Sequence, residues 1–135
     1  MAEGTRFQNV DMIFEGRIRG NQLMLSGKYL TAEEAKLLWE SPRMKDVSWL
    51  DLDDNKLGDE GVEGLVNCPL LENIQYLNLN KNGISDKGLE ILATAKFLGN
   101  LKRLHLKGNP IKGEGLVSLF NSEALDSLST FQIND

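Results

Sequence analysis

The sequence predicts an α/β solenoid, in which a strand and a helix recur about 4.5 times at a period of 27 residues. Two observations predict this fold. Apolar residues return every 27 positions without a gap, and within each repeat their spacing changes from two residues to three or four. The shorter spacing is typical of a half-buried strand and the longer one of a helix. We therefore expect parallel strands to form the inner wall of one coil and helices to form its outer layer.

Two columns of apolar residues mark the strands, with polar or aromatic residues between them. The first column contains Leu23, Leu50, Leu77, Leu104 and Phe131. The second contains Leu25, Leu52, Leu79, Leu106 and Ile133. Because one coil cannot bury its own apolar face, these side chains are expected to stack on those of the neighbouring coils and form the core.

Helix boundaries can also be placed from the sequence. Thr31 followed by Glu34 fits a capping box at the start of the first outer helix. Pro42 and Pro69 occupy the same position of successive repeats and are expected to end the first two of these helices. Each repeat therefore consists of a strand, a turn, a helix and a return segment.

An asparagine follows each central strand, at Asn55, Asn82 and Asn109. The segments WLDLDDNKLGDEG, YLNLNKNGISDKG and RLHLKGNPIKGEG resemble the leucine-rich repeat pattern L-x-L-x-x-N-x-L-x-x-x-G. The helical half, as in GVEGLVNCPLLENIQ, is similar to the long-repeat branch typified by ribonuclease inhibitors and Ran GTPase-activating proteins. This resemblance implies a right-handed leucine-rich-repeat solenoid. The asparagines are expected to be structural, since their amides can pair with backbone groups at the turn.

The two ends of the coil differ from its centre. Residues 20–135 are assigned to the repeat domain and residues 1–19 to an N-terminal capping strand or hairpin that turns at Gly20 and Asn21. Four apolar residues of one parity predict this strand: Val10, Met12, Phe14 and Ile18. At the other end, residues 130–134 form a last strand with no visible cover, which is a candidate for edge-strand self-association.

Composition excludes several classes of protein. Fifteen Lys and Arg against 20 Asp and Glu give a formal charge of −5, which argues against a general nucleic-acid or anionic-membrane binder. No apolar run approaches the roughly 20 residues of a bilayer-spanning helix. A single cysteine excludes an internal disulfide framework, and the N-terminus lacks the features of a secretory signal. We expect a cytoplasmic monomer whose partner is another protein or peptide.

No catalytic, metal or cofactor site is expected. The chain has one histidine, His105, so no two-histidine metal site can form within it. Cys68 lies at a small-residue position after a helix, far from the wall that carries His105. The stretch DLDDN has oxygen ligands at the spacing of an EF-hand, but Lys56 and Val62 stand where Gly and Glu are required.

The inner, concave face of the sheet is the candidate functional surface. Trp49 and Tyr76 are expected to be exposed neighbours on adjacent strands, and such rings often dominate protein interfaces. Acidic residues on the Trp49 strand and basic residues two strands further on polarise the face, which can orient a partner. The predicted partner-binding residues are Trp49, Asp51, Asp53, Tyr76, Asn78, Asn80, Arg103, His105 and Lys107.

Three functional hypotheses are consistent with the sequence. The first is a non-catalytic protein-interaction module that acts through the inner face. The second is a regulator of a partner enzyme, either an inhibitor or a GTPase activator, as the family resemblance implies. The third is a structural subunit that pairs through its terminal strand. Against a binding face stands a simpler explanation, in which repeat surfaces are merely polar and the Trp49–Tyr76 pair shields the sheet.

Overall fold

The strands form one six-stranded sheet in the computed structural model, which describes residues 7–133. They are β1 Ile18–Arg19, β2 Gln22–Met24, β3 Trp49–Asp51, β4 Tyr76–Asn78, β5 Arg103–His105 and β6 Thr130–Gln132. Their order across the sheet is their order in the chain. Strands β2 to β6 are parallel, whereas β1 pairs antiparallel with β2. The predicted parallel sheet is therefore confirmed.

The register of the sheet follows the 27-residue period. Leu50 lies opposite Leu77, and Leu77 lies opposite Leu104. These three side chains are at most 1% exposed, so the predicted apolar column forms the core. At the end of the stack Phe131 continues the column but is only partly buried. Register is strongly specified here because a slip of one residue would carry every leucine to the opposite face.

Within residues 7–133, four helices follow the parallel strands and a fifth precedes them. They are α1 Val10–Phe14, α2 Ala32–Trp39, α3 Gly58–Val66, α4 Asp86–Leu92 and α5 Glu114–Phe120. Each of α2, α3 and α4 packs against the next helix. The capping box of Thr31 and Glu34 is present at the start of α2. Pro42 and Pro69 lie just beyond α2 and α3, where each begins a short 3-10 helix.

The asparagine column links successive coils by hydrogen bonds. Asn55 Nδ2 donates to the carbonyl oxygens of Leu25 and Leu52, each at 2.9 Å. Asn82 and Asn109 likewise donate to a carbonyl 30 residues earlier in the chain. The amides thus satisfy carbonyl groups of the previous coil that would otherwise be buried unpaired. This agrees with the structural role expected for them.

Two aspartates make a second set of links on the helical side. Asp59 Oδ1 accepts from the amide of Ser85 at 2.8 Å, and its Oδ2 accepts from the Ser85 hydroxyl at 2.5 Å. One repeat later, Asp86 Oδ1 accepts from the amides of Gly115 and Gly113 at 2.9 and 3.0 Å. Gly113, at the start of α5, supplies no side-chain cap of its own. Each aspartate therefore accepts hydrogen bonds from amides at the start of the helix in the following coil.

The strand predicted from Val10, Met12 and Phe14 is wrong, because these residues form helix α1. Asn9 caps this helix by accepting from the amide of Met12 at 3.1 Å. The adjacent residues Ile13 and Phe14 are both buried, which a strand with alternating faces does not allow. A hairpin is nevertheless present: β1 and β2 flank Gly20 and Asn21, so that the cap consists of one short helix and one short strand.

The C-terminal edge leaves one side of the sheet unpaired among residues 7–133. Among the strands that the structure describes, β6 pairs with β5 alone. Phe120 packs edge-on against Phe131 with a centroid distance of 5.6 Å, and the residue is 68% exposed. Residue 134 of the predicted terminal strand lies outside the described residues. Within the described range, no helix is long and apolar enough to cross a membrane.

Candidate functional site

The alternation of the strands brings the predicted binding residues together on one side of the sheet. In β3, Leu50 is buried while Trp49 and Asp51 on either side of it are partly exposed. We call the surface opposite the leucines the inner face. Parallel pairing aligns Trp49 with Tyr76 and Arg103, and aligns Asp51 with Asn78 and His105. Six of the nine predicted residues therefore form two rows of three across β3, β4 and β5.

The other three predicted residues lie just beyond the ends of these strands. Asp53 Oδ2 accepts from the Ser26 hydroxyl of the preceding coil at 3.2 Å. Asn80 Oδ1 accepts from the amide of Lys107 in the following coil at 2.7 Å. Asp53, Asn80 and Lys107 therefore continue the inner face as a third row, although part of their polar capacity is used within the fold.

Trp49 and Tyr76 form a stacked pair. Their ring centroids are 3.8 Å apart and their planes differ by 18°. Tyr76 also meets His105 edge-on, with a centroid distance of 5.2 Å. Trp49 and Tyr76 are partly buried rather than exposed, so the predicted exposure of the two rings is wrong. The physical reason is that each ring covers one face of the other.

Polar atoms of the aromatic pair differ in their partners. The Tyr76 hydroxyl oxygen accepts from Asn78 Nδ2 at 3.2 Å, and burial raises the pKa of this phenol. Trp49 Nε1 is buried and donates no hydrogen bond to any group of residues 7–133. A buried indole N–H usually has an acceptor, so this one marks an incompletely satisfied place on the inner face.

The acidic part of the inner face lies on β3 and just after it. Asp51 Oδ1 accepts from the amide of Asp53 at 3.0 Å. Burial raises the pKa of the Asp51 carboxyl; the bond from the Asp53 amide opposes this rise and the negative charge of Asp53 adds to it. Two acidic groups are therefore held close together in a partly desolvated position.

The basic part lies on β5. Burial lowers the pKa of the His105 imidazole, and the positive charges of Arg103 and Lys107 lower it further. Neither Arg103 nor Lys107 forms a salt bridge with a residue that the structure describes. Acidic β3 and basic β5 are two strand steps apart, about 10 Å. The inner face is thus polarised, and among the described residues Arg103 and Lys107 form no ion pair with its carboxylates.

Comparison with protein families supports the repeat assignment. A family model described as Leucine Rich repeat matches residues 50–66, 71–93 and 100–120. The chain is a leucine-rich repeat protein. The three matched segments include β4 and β5, most of β3 and the helices that follow them. A search of curated proteins finds no match to the sequence.

The leucine-rich repeat protein has a groove beside the aromatic pair that was not predicted from its sequence. Its volume is about 230 Å³, and it is lined by Ser48, Trp49, Gln75, Tyr76, Lys102 and Arg103. Three of these residues were not predicted: Ser48, Gln75 and Lys102. They are themselves 27 residues apart, immediately before β3, β4 and β5. The repeat period would have identified them as one further row of the surface.

The possible metal ligands and the cysteine occupy separate places among the described residues. Among residues 7–133, no group of three or more His, Cys, Asp and Glu side chains is placed to hold a metal ion. Cys68 is buried after α3, and its thiol donates to the carbonyl oxygen of Trp39 at 3.1 Å. Burial raises the pKa of this thiol, which disfavours the reactive thiolate.

Proposed function

We propose that this leucine-rich repeat protein is a non-catalytic interaction module that binds another protein or peptide through its inner face. The observation that carries the proposal is the stacked Trp49–Tyr76 pair set beside an acidic strand and a basic strand. Leucine-rich repeats generally mediate protein–protein interaction, which agrees with this function.

The composition of the inner face suits a protein interface. Trp, Tyr and Arg are the residues most enriched at binding hot spots, because large rigid side chains bury much area at little entropic cost. Trp49, Tyr76 and Arg103 form one row across three strands. Their neighbours carry unbalanced charge of both signs, which favours a partner with the complementary arrangement and speeds its association. A shielding role for the ring pair alone does not explain this polarisation.

An experiment on the ring pair tests the proposal. A partner isolated by affinity capture is purified, and its binding is measured by calorimetry to the wild type, to the double variant Trp49→Ala with Tyr76→Ala, and to Tyr29→Ala. Tyr29 is 65% exposed outside the inner face and serves as the aromatic control. We expect the double variant to lose more than about 2 kcal/mol of binding energy and the control to lose almost none. Unchanged affinity in a folded double variant would show that the inner face is not the binding surface.

The terminal strand supports a second candidate, self-association or assembly through β6. A groove of about 280 Å³ lies beside this edge, lined in part by Phe120, Leu125 and Phe131. Strands with free edges and apolar neighbours can pair with another chain. Sedimentation over a range of protein concentrations tests this, with Phe120→Ser as the variant. A mass that stays monomeric at all concentrations would exclude the self-association.

Several finer features remain predictions. The outer α-helices of the coils support membership of the long-repeat branch typified by ribonuclease inhibitors and Ran GTPase-activating proteins. The right hand of the coil, its 4.5 repeats and the domain boundary at residue 20 follow from the sequence alone. So do the monomeric state, the cytoplasmic location and the absence of nucleic-acid and membrane partners. A role as regulator of an enzyme predicts that a purified partner changes its turnover when the complex forms.

A further inference from the structure

The groove at the start of β3, β4 and β5 has a composition that selects the charge of its occupant. Lys102 and Arg103 are exposed cations on one side, and Trp49 and Tyr76 form an apolar wall on the other. Neither cation forms a salt bridge with a residue in the range 7–133. The groove therefore combines unneutralised positive charge with aromatic surface, which together favour an anion attached to an apolar group.

The backbone acceptors of the groove are already used. The carbonyl oxygen of Ser48 accepts from the amides of Gln75 and Tyr76, at 2.7 and 3.1 Å. The carbonyl oxygen of Gln75 accepts from the amides of Lys102 and Arg103, at 2.8 and 3.0 Å. A cationic occupant would find these acceptors occupied and two like charges beside it. A carboxylate would find two cationic donors, Lys102 and Arg103, that form no salt bridge within residues 7–133.

The size and surroundings of the groove limit the occupant further. Its volume of about 230 Å³ is below the range of about 300–1,000 Å³ typical of small-molecule sites, so a side chain fits better than a whole ligand. Asp51 and Asp53 lie two and four residues further along from Trp49, or about 7 and 13 Å in extended chain. Their negative charges repel an acidic side chain of a partner from the β3 end of the inner face. Such a side chain is therefore directed to the Arg103 end.

We propose that this groove binds the carboxylate of an Asp or Glu side chain from an extended partner peptide, next to an apolar residue that packs on Trp49 and Tyr76. Arg103 supplies the planar donor pair that matches a carboxylate, and Lys102 adds a second charge. This inference rests on the proposed binding function of the inner face and names the chemistry of its partner.

The probe is a capped serine-based octapeptide that contains Phe followed by Glu, titrated into the full-length ¹⁵N-labelled protein and followed by NMR. A peptide with Gln in place of Glu is the matched control. We expect the Glu peptide to bind at least about tenfold more tightly, and its shift changes to centre on the groove. The Arg103→Glu variant should lose this preference, because the new carboxylate cancels the positive charge that Lys102 retains. Lys96→Glu makes the same charge change at an exposed site away from the inner face and should change nothing.

Each other outcome overturns the inference. Equal binding of the Glu and Gln peptides, shifts that map away from the groove, or loss of binding in Lys96→Glu would each contradict a carboxylate site. The calorimetric test on the Trp49 and Tyr76 double variant keeps the two proposals separate. If that variant loses a protein partner while the peptides show no charge preference, the inner face binds but the carboxylate site is wrong. If the double variant binds normally, the proposed function itself is wrong.

Discussion

Replacing Asn82 by Asp tests whether the asparagine column holds the coils together. Asn82 is 2% exposed, and its Nδ2 donates to the carbonyl oxygens of Leu52 and Asn80 at 2.9 and 3.0 Å. Its Oδ1 accepts from the amide of Leu57 at 3.3 Å. Aspartate has almost the same size and keeps the acceptor. It replaces both donors by a negative oxygen that faces two carbonyl groups.

The expected loss can be worked from these contacts. Each of the two carbonyl groups loses one of two donors, because Leu52 keeps the bond from Asn55 Nδ2 and Asn80 keeps the bond from the amide of Asp54. Each lost bond costs about 0.5–1.5 kcal/mol. Burial disfavours the ionised form of the new carboxyl, and so raises its pKa above the usual value of about 3.9. At pH 7 the carboxyl is ionised at an additional cost. Together these effects predict a loss of about 2–4 kcal/mol in the free energy of unfolding at pH 7. The loss should shrink as the pH falls through the raised pKa, because the protonated carboxyl can again donate.

Urea denaturation of wild type and variant at pH 7 and near pH 4 measures both effects. The control is Asn73→Asp, since Asn73 is exposed and donates a single bond, to the carbonyl oxygen of Lys45 at 2.7 Å. We expect this control to lose less than about 1 kcal/mol. The reasoning is refuted if Asn82→Asp costs no more than Asn73→Asp, or if its deficit stays the same at both pH values.

Three further predictions concern titration and the buried thiol. The amides that donate to the Asp86 carboxylate lower its pKa, and the amide of Gly115 contributes most. The carboxylate should therefore stop stabilising the fold as the pH falls below about 3.9. Asp86→Asn should flatten the acid-unfolding curve followed by circular dichroism. His105 should titrate below its ordinary pKa of 6.5 by NMR, and Lys107→Gln should raise that pKa by removing a nearby positive charge; an unshifted His105 would contradict the polarised face. Cys68→Ser should lower the free energy of unfolding, measured by thermal denaturation, by less than about 1 kcal/mol. The reason is that Ser122, at the equivalent position two repeats later, donates to a carbonyl of the preceding coil as Cys68 does. A larger loss would show that the packing of the sulfur dominates.

Much of the candidate site was predictable because it depends on register alone. Once the leucines are assigned to the core, alternation places Trp49 and Asp51 on the other side of the strand, and the 27-residue period places Tyr76 and Arg103 beside Trp49. The sequence did not indicate how the rings sit. Stacking at 3.8 Å depends on side-chain rotamers and on the neighbouring strand, and it turned an exposed pair into a partly buried one.

The N-terminal cap shows the limit of reading a pattern without its surroundings. Apolar residues at alternate positions favoured a strand at Val10, Met12 and Phe14. The chain instead forms a helix that Asn9 caps and that buries Ile13 and Phe14 together. Five residues satisfy more than one period, so what they pack against decides between them.

The sequence by itself determined the coil: its period, its parallel sheet, its leucine core and the asparagine links all follow from side chains that recur in register. Only the tertiary structure decided the contacts between coils that have no local signature. These include the caps that Asp59 and Asp86 provide for the next repeat and the groove beside Arg103. The physical reason is that periodicity fixes which residues share a face, whereas hydrogen bonds and ring contacts depend on distances set by the packing of neighbouring coils.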